Sequence, residues 1–253
     1  LATSKKIVIT SLLYSFYVLK SLSLTIASNR RITYIMSLHI VILAAGQGRR
    51  MHSKTPKVLH KLGGKPMLAR VVETALTLGP EKIHVIIGHE SETIKNALPT
   101  LPVNWVQQKE QAGTGHAVLQ ALPFINDDDA DVLVLSADVP LIQAETLQAL
   151  ITRSQHNTST HALGLLLAFV PDPRGLGRII RNPRDAIEAI VEEKDASDKE
   201  RQINEIYSGI CYAPAFDLKR WLPELSGDNA QQEYYLTEII AMAVAEKKEI
   251  TSI

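Results

Sequence analysis

From His39 onward the chain alternates between two textures. Near-continuous apolar runs at His39–Ala45, Ile83–Gly88, Val103–Gln107 and Val132–Ala137 predict buried strands. Between them, Pro66–Leu78, Ser91–Leu98 and Gly115–Phe124 predict helices. In the first of these, Leu68, Val71, Val72, Ala75, Leu76 and Leu78 recur at helical spacing, and Pro66 suits a first turn. Strands alternating with helices predict an α/β fold, a mostly parallel sheet covered by helices. In such sheets ligands bind beyond the carboxyl ends of the strands. The Gly46 turn and Asp138 both fall at such ends.

After a helix predicted over Gln143–Ser154 the texture changes. Ala162–Val170 predicts a long apolar strand. "RIIRN", "AIEAIVEEKDA" and "EIYSGICYA" read as shorter strands that extend or flank the main sheet. Tyr235–Glu246 predicts an amphipathic helix, and "EITSI" begins one more strand. There is no internal repeat and no low-complexity linker, so 36–253 reads as one domain. Residues 1–35 differ, being apolar and serine-rich with basic ends. A signal or membrane anchor is one reading of them. Lys20, however, interrupts the apolar run and leaves Ile7–Leu19 too short to span a bilayer. With Met36 three residues before the first strand, 1–35 is expected to be an extension outside the fold.

Composition narrows the chemistry. The 253 residues are 45% apolar, enough for a substantial core. The 27 basic and 27 acidic residues cancel, so no global field favours a nucleic acid. The cations Arg49, Arg50, Lys54 and Lys57 are therefore a local cluster, suited to a small anion. Cys211 is the single cysteine, which excludes an intrachain disulfide and points to a reducing compartment, the cytoplasm.

Three motifs carry chemistry. Gly46-Gln47-Gly48 follows the first strand, where glycine permits a sharp turn and close approach to backbone N–H groups. Met51 stands where a dinucleotide fingerprint needs its third glycine, and the Gly-Lys-Ser/Thr ending of a P-loop is missing. With Arg50, and with Lys57 aimed by Pro56, the turn is expected to hold a phosphate chain rather than form a plain basic loop. Asp138 ends the apolar run "DVLVLSADVPL". A carboxylate there is expected to meet a cation, and magnesium takes one or two carboxylates with phosphate oxygens and water. The plainer reading is a loop aspartate capping the next turn. Asp127-Asp128-Asp129 lies before the strand, at the opposite edge, and reads as a solvated turn. In "QKEQAGTGHAV", Gly113-Thr114-Gly115 precedes a helix and can hold a base edge or a phosphate. Gln108 carries a donor and an acceptor, as a uracil-like edge requires. His116 is expected to pack in the first helical turn, without a role.

These residues resemble a known family. "LAAGQGRRM", "TPKVLHKLGGKPML", "EQAGTGHAV", "ADVPLI", "GLGRIIR", "IVEEKDA" and "NAQQEYYLTEII" are similar to the uridyltransferase domain of bacterial bifunctional UDP-N-acetylglucosamine pyrophosphorylase/glucosamine-1-phosphate N-acetyltransferase. The resemblance runs from about Leu38 to Ile253. It implies a Rossmann-like nucleotidyltransferase fold, a mostly parallel mixed sheet with helices on both faces. It implies transfer of UMP from UTP to N-acetylglucosamine 1-phosphate, giving UDP-N-acetylglucosamine and pyrophosphate with Mg2+, for peptidoglycan and lipopolysaccharide synthesis. By the same resemblance, Leu43, Ala44, Ala45 and Gly46 line the nucleotide, and Arg50 and Lys57 contact phosphates. Gln108, Gly113 and Thr114 hold the uracil, Asp138 binds magnesium, and Gly177 and Glu192 contact the sugar. No nucleic acid and no stable membrane association are expected.

Three departures qualify the match. Ala137 replaces a glycine, and its methyl is expected to crowd the nucleotide. Tyr207 replaces an asparagine near the sugar. The second metal-binding Asn is expected beyond Ile253, and the β-helix acetyltransferase domain, which trimerises the family, is not among these residues. Two alternatives stay open: a nucleotidyltransferase for another sugar phosphate, or a catalytically weak fragment that binds UDP-sugar.

Overall fold

The structure, a computed structural model, describes residues 37–46, 48, 51–155 and 161–253. The proposed extension 1–35 lies outside the described residues, as does Arg50. In chain order, β1 (Leu38–Leu43) is followed by a small hairpin, β2 (Lys61–Leu62) and β3 (Lys65–Pro66). Then come α1 (Met67–Leu76), β4 (Lys82–Ile87), α2 (Ser91–Ala97), β5 (Asn104–Gln107), α3 (Thr114–Leu119), β6 (Asp131–Ser136) and α4 (Ala144–Gln155). The second half holds β7 (Leu163–Phe169), β8 (Arg178–Arg181), β9 (Ile187–Val191), β10 (Glu205–Pro214), α5 (Ala215–Trp221), α6 (Ile239–Ala245) and β11 (Ile250–Ser252).

One sheet runs β11-β7-β10-β6-β1-β4-β5, with β8 and β9 attached through β10. β1 lies between β4 and β6, parallel to both, while β10 is antiparallel to β6 and β7. The sheet is therefore mixed and mostly parallel. Side chains alternate across it. Ile40 and Ile42 of β1 join Leu68, Val72, Ile94, Leu147 and Ile151 in one core, beneath α1, α2 and α4. Val41 joins Val118, Leu218, Ile239 and Ile240 in a second core, beneath α3, α5 and α6. Helices cover both faces, as the fold class requires.

Several elements differ from the sequence expectation. The helix predicted over Gly115–Phe124 stops at Leu119, and a 3-10 turn follows at Leu122–Phe124. Pro123 has no N–H for a continued helical ladder. Leu76 turns outward rather than into the core, at 41% exposure. The helix predicted over Tyr235–Glu246 begins as a 3-10 turn, Leu236–Glu238, whose first N–H, that of Leu236, donates to the Thr114 hydroxyl at 2.9 Å. The strand read in "EIYSGICYA" forms as β10, with 10 residues, but sits inside the sheet between β6 and β7 rather than flanking it. Its register shifts between Tyr207 and Cys211, where Gly209 has φ +84° and accommodates a bulge. The hairpin β2–β3 and helix α5 are additions. Gly63 and Gly64 have φ +56° and +79°, the pair of positive values that a tight two-residue hairpin needs. Asp127–Asp129 are exposed before β6, the Asp129 N–H bonding Asp127 Oδ1 at 2.9 Å, in the solvated turn expected. No helix among the described residues is long and apolar enough to cross a membrane.

Candidate active site

The parallel register brings three strand ends to one edge. Leu43 aligns with Ile86 of β4 and with Ser136 of β6. The Ala44 N–H donates to Ile86 O at 2.9 Å and the Ala137 N–H to Leu43 O at 3.1 Å. The backbone of Leu43–Gly46 therefore leaves the sheet between β4 and β6, with Ala44 buried and Gly46 exposed. Gly48 has φ +60°, and a Cβ there would lie 2.7 Å from Lys57 Cβ. Only glycine lets this turn fold back against Lys57. Lys57 opens a 3-10 turn after Pro56, anchored by buried Val58.

Across the same edge, the Lys57 ammonium forms an ion pair with Asp138 Oδ2. Ser136 Oγ donates to Asp138 Oδ1. Burial at the strand end opposes ionisation of Asp138, but the bonds from Lys57 and Ser136 outweigh it and hold the carboxyl below its usual range. Ala137 points elsewhere than expected. Its methyl is 1% exposed and packs in the core beneath α1 and α4, so it does not crowd the cleft.

Gln108 follows β5, its N–H bonded to Ile87 O at 2.8 Å, and it is 97% buried, with 3% exposed. Its amide nitrogen lies 3.1 Å from Gly113 O and 3.1 Å from His116 Nδ1. Gly113 has φ +113°, and a Cβ there would stand 2.5 Å from Tyr234 O. Tyr234 bonds Ala112 O through its N–H at 2.8 Å and accepts from the Gly115 N–H at 2.8 Å. The Gly113–Gly115 loop is thus stitched to Tyr234–Leu236, and the Thr114 oxygen is engaged by the backbone of Leu236.

Gly177 and Glu192 meet on the β8–β9 side. A Cβ on Gly177 would lie 3.6 Å from Glu192 Oε2, and the Gly177 carbonyl accepts from the Tyr207 N–H at 2.9 Å. Thr237 Oγ1 donates to Glu192 Oε1 at 3.2 Å. Burial pushes the Glu192 carboxyl up, Asp195 and Glu233 add to the shift, and the Thr237 bond opposes it. Arg178 has no exposed surface and reaches under the loop to bond Glu193 Oε2 at 2.6 Å. The same oxygen accepts from the Gly175 N–H at 3.0 Å, which pins the corner carrying Glu192. Tyr207 is half-buried and packs against the core. The phenol therefore leans inward more than the sequence suggested.

The structure brings Leu43–Gly46, Lys57 and Asp138 to one edge, and links Gln108, Gly113 and Thr114 to Gly177 and Glu192 through Tyr234–Thr237. Ser136 and Thr237, the polar partners of Asp138 and Glu192, were not named in the sequence reading; His116 stands in the first turn of α3 as expected, beside Gln108. Ser136 stands two residues before Asp138, a spacing that offered a signal; Thr237 offered none. Beside this edge, a cavity of about 480 Å³ is lined by His89, Gln107, Lys109 and Gln111. Gln107 Nε2 bonds Gly88 O at 3.0 Å, and a Cβ on Gly88 would meet Ala45 O at 3.0 Å, so the cavity adjoins the Ala45 segment.

The chain is 63% identical over 219 residues to the bifunctional protein GlmU of Legionella pneumophila subsp. pneumophila (strain Philadelphia 1), covering 86% of this chain and 47% of that protein. It is 51% identical over 211 residues to the bifunctional protein GlmU of Coxiella burnetii (strain RSA 493), covering 83% of this chain and 45% of that protein. The chain spans about half the length of the curated relatives it matches. A crystal structure of UDP-glucose pyrophosphorylase complexed with UDP-glucose superposes with a TM-score of 0.68 at 18% identity, covering 85% of this chain and 90% of that one. That likeness shows the fold. Residues 40–168, just over half of the chain, match the MobA-like NTP transferase domain family. With its glycine turn, Lys57 and Asp138 gathered at the carboxyl edge of a mostly parallel sheet, the chain belongs to the MobA-like NTP transferase domain family.

Proposed function

We propose that this chain is a uridylyltransferase that moves UMP from UTP to N-acetylglucosamine 1-phosphate and releases pyrophosphate. The product, UDP-N-acetylglucosamine, would supply peptidoglycan and lipopolysaccharide synthesis in the cytoplasm. The observation that carries this reading is the facing of Lys57 and Asp138 across the Gly46–Gly48 turn. The similarity to the GlmU proteins supports reading the transfer as uridylyl transfer onto an amino-sugar phosphate.

In this reaction a phosphate oxygen of the sugar phosphate attacks the α-phosphorus of UTP. The bond from that phosphorus to the oxygen bridging to the β-phosphorus breaks, and its electron pair leaves with pyrophosphate. Such transfer depends chiefly on positioning and charge. The backbone of Leu43–Gly46 receives the nucleotide, and Lys57 offsets charge on the departing phosphates. Arg50, outside the described residues, is proposed to act beside it. Gln108, with Gly113 and Thr114, receives the base, while Gly177 and Glu192 receive the sugar.

The donor set around Asp138 suits a hard divalent cation. It offers one carboxylate and a hydroxyl, and no cluster of three metal-ligating side chains exists among the described residues. A cation held that way draws its remaining ligands from phosphate oxygens and water, the habit of magnesium. Magnesium, when bound, supplies positive charge to the phosphate oxygens.

The test is pyrophosphate release from UTP against a panel of sugar phosphates. The expected result is a preference for N-acetylglucosamine 1-phosphate; preference for another acceptor would redirect the assignment. Arg50→Ala is expected to lower turnover on the order of 10²–10³-fold while the circular dichroism spectrum is unchanged.

A further inference from the structure

The hydrogen bonds of Gln108 fix more than its position. Its amide nitrogen is 3.1 Å from the Gly113 carbonyl and 3.1 Å from His116 Nδ1. A backbone carbonyl can only accept, so the arm of the amide that faces it is the NH2 group. The second N–H of that group then points to His116 Nδ1, which must be the unprotonated, accepting nitrogen of the ring. His116 therefore carries its hydrogen on Nε2. The carbonyl oxygen of Gln108 is left as the acceptor that the amide presents.

That polarity has a consequence for base choice. An accepting oxygen matches a ring N–H, as in the N3–H of uracil. The corresponding ring nitrogen of cytosine carries a lone pair, and two acceptors facing each other repel. An amide free to rotate would present its NH2 group to cytosine just as readily. Gly113 alone restrains the amide through one bond, and His116 supplies a second direction. The His116 ring is itself set by α3 and lies 6.3 Å, centroid to centroid, from the Tyr234 ring.

We propose that His116 is a positioning residue for base selection. By accepting from Gln108, it holds the amide with oxygen toward the base and biases the site toward pyrimidines bearing a ring N–H. This rests on the uridine reading above. His116 acts through Gln108.

The test compares kcat and KM for pyrophosphate release with UTP and with CTP. It uses wild type, His116→Phe and His116→Asn, with calorimetric binding of UDP and CDP alongside. Phenylalanine keeps the ring and removes the acceptor. Asparagine can place its Oδ1 where Nδ1 stood. The expected result is a UTP-selective wild type, and a loss of selectivity on the order of tenfold in His116→Phe. The loss should fall on KM and on the UDP/CDP affinity ratio, with kcat for UTP little changed. His116→Asn should recover most of it. A UTP-selective wild type whose selectivity survives in His116→Phe would overturn the inference alone. So would His116→Asn losing as much as His116→Phe, which would mark a packing role. A wild type that does not favour UTP over CTP would overturn the uridine reading as well. Should His116→Phe fail to fold, His116→Ala is compared with His116→Asn by the same ratio.

Discussion

Asp138 has both carboxylate oxygens engaged, one by the Lys57 ammonium and one by the Ser136 hydroxyl. A divalent cation approaching the free protein would have to displace a cation already in place. A phosphate chain arriving at the glycine turn offers Lys57 a competing anion and releases that oxygen. Manganese binding to the protein without nucleotide, followed by electron paramagnetic resonance, should therefore be weak and should strengthen when UTP is added. In Lys57→Met, manganese binding without nucleotide should rise severalfold, while turnover falls on the order of 10²–10³-fold. Unaltered manganese affinity in that variant would show that the pair does not guard the carboxylate. At this scale the sequence was informative wherever a residue type is costly for its location. A carboxylate ending an apolar strand and glycines ending another are legible without coordinates. His116 was not, because its meaning depends on which end of the Gln108 amide it meets.

The strands carry a second polar device far from that cleft. His39 of β1 and His84 of β4 are buried and stacked, with centroids 5.4 Å apart. Asn104 Nδ2 lies 3.1 Å from His84 Nδ1, His84 Nε2 lies 3.1 Å from His39 Nδ1, and His39 Nε2 faces Glu81 at 3.8 Å. Burial opposes protonation of both rings. Burial lowers the His84 pKa from 6.5 to about 4, and His39 and Lys82 add to the shift. Between those values the unfolded chain binds the proton and the folded chain does not. Stability is therefore fully present above about pH 6.5 and is lost as pH falls toward 4, by about 3 kcal/mol at 1.36 kcal/mol per unit. Urea unfolding at pH 7 and pH 5 should show this decline, and His84→Leu should flatten it.

The same scale shows where pattern reading fails. The four apolar runs between His39 and Ala137 all form strands within a residue or two of their expected ends, because a doubly covered parallel sheet writes itself as unbroken hydrophobicity. β10 was misjudged because Ser208 and Gly209 interrupt its pattern; the bulge there satisfies the sheet with one break in register. The hairpin β2–β3 offers no apolar alternation at all, its residues being half or fully exposed. α5 has only 7 residues between Pro214 and Pro223, too few for a period of 3.6 to declare itself.

On the scale of the whole molecule, two cores on opposite faces of one sheet account for the burial of nearly every strand residue. No local pattern specifies that β10 inserts between β6 and β7, because its pairing with β6 joins segments about 80 residues apart in sequence. We propose that residues 36–253 fold without the first 35. A chain beginning at Met36 should keep its melting temperature within about 2 °C, by differential scanning calorimetry, and its turnover. A large fall in either would assign the leading segment a structural part.

The stitching of Thr114 to Leu236, with Thr237 bonded to Glu192, leaves a single peptide step between the loop proposed to hold the base and the carboxylate proposed to contact the sugar. We propose that ligands seated at the two ends of so short a tether are coupled. Affinity for the nucleotide should rise once the sugar phosphate is in place, and by thermodynamic reciprocity the converse enhancement should have the same size. Titrations of each alone and in the presence of the other would measure that shared factor, and Thr237→Val should bring it toward unity.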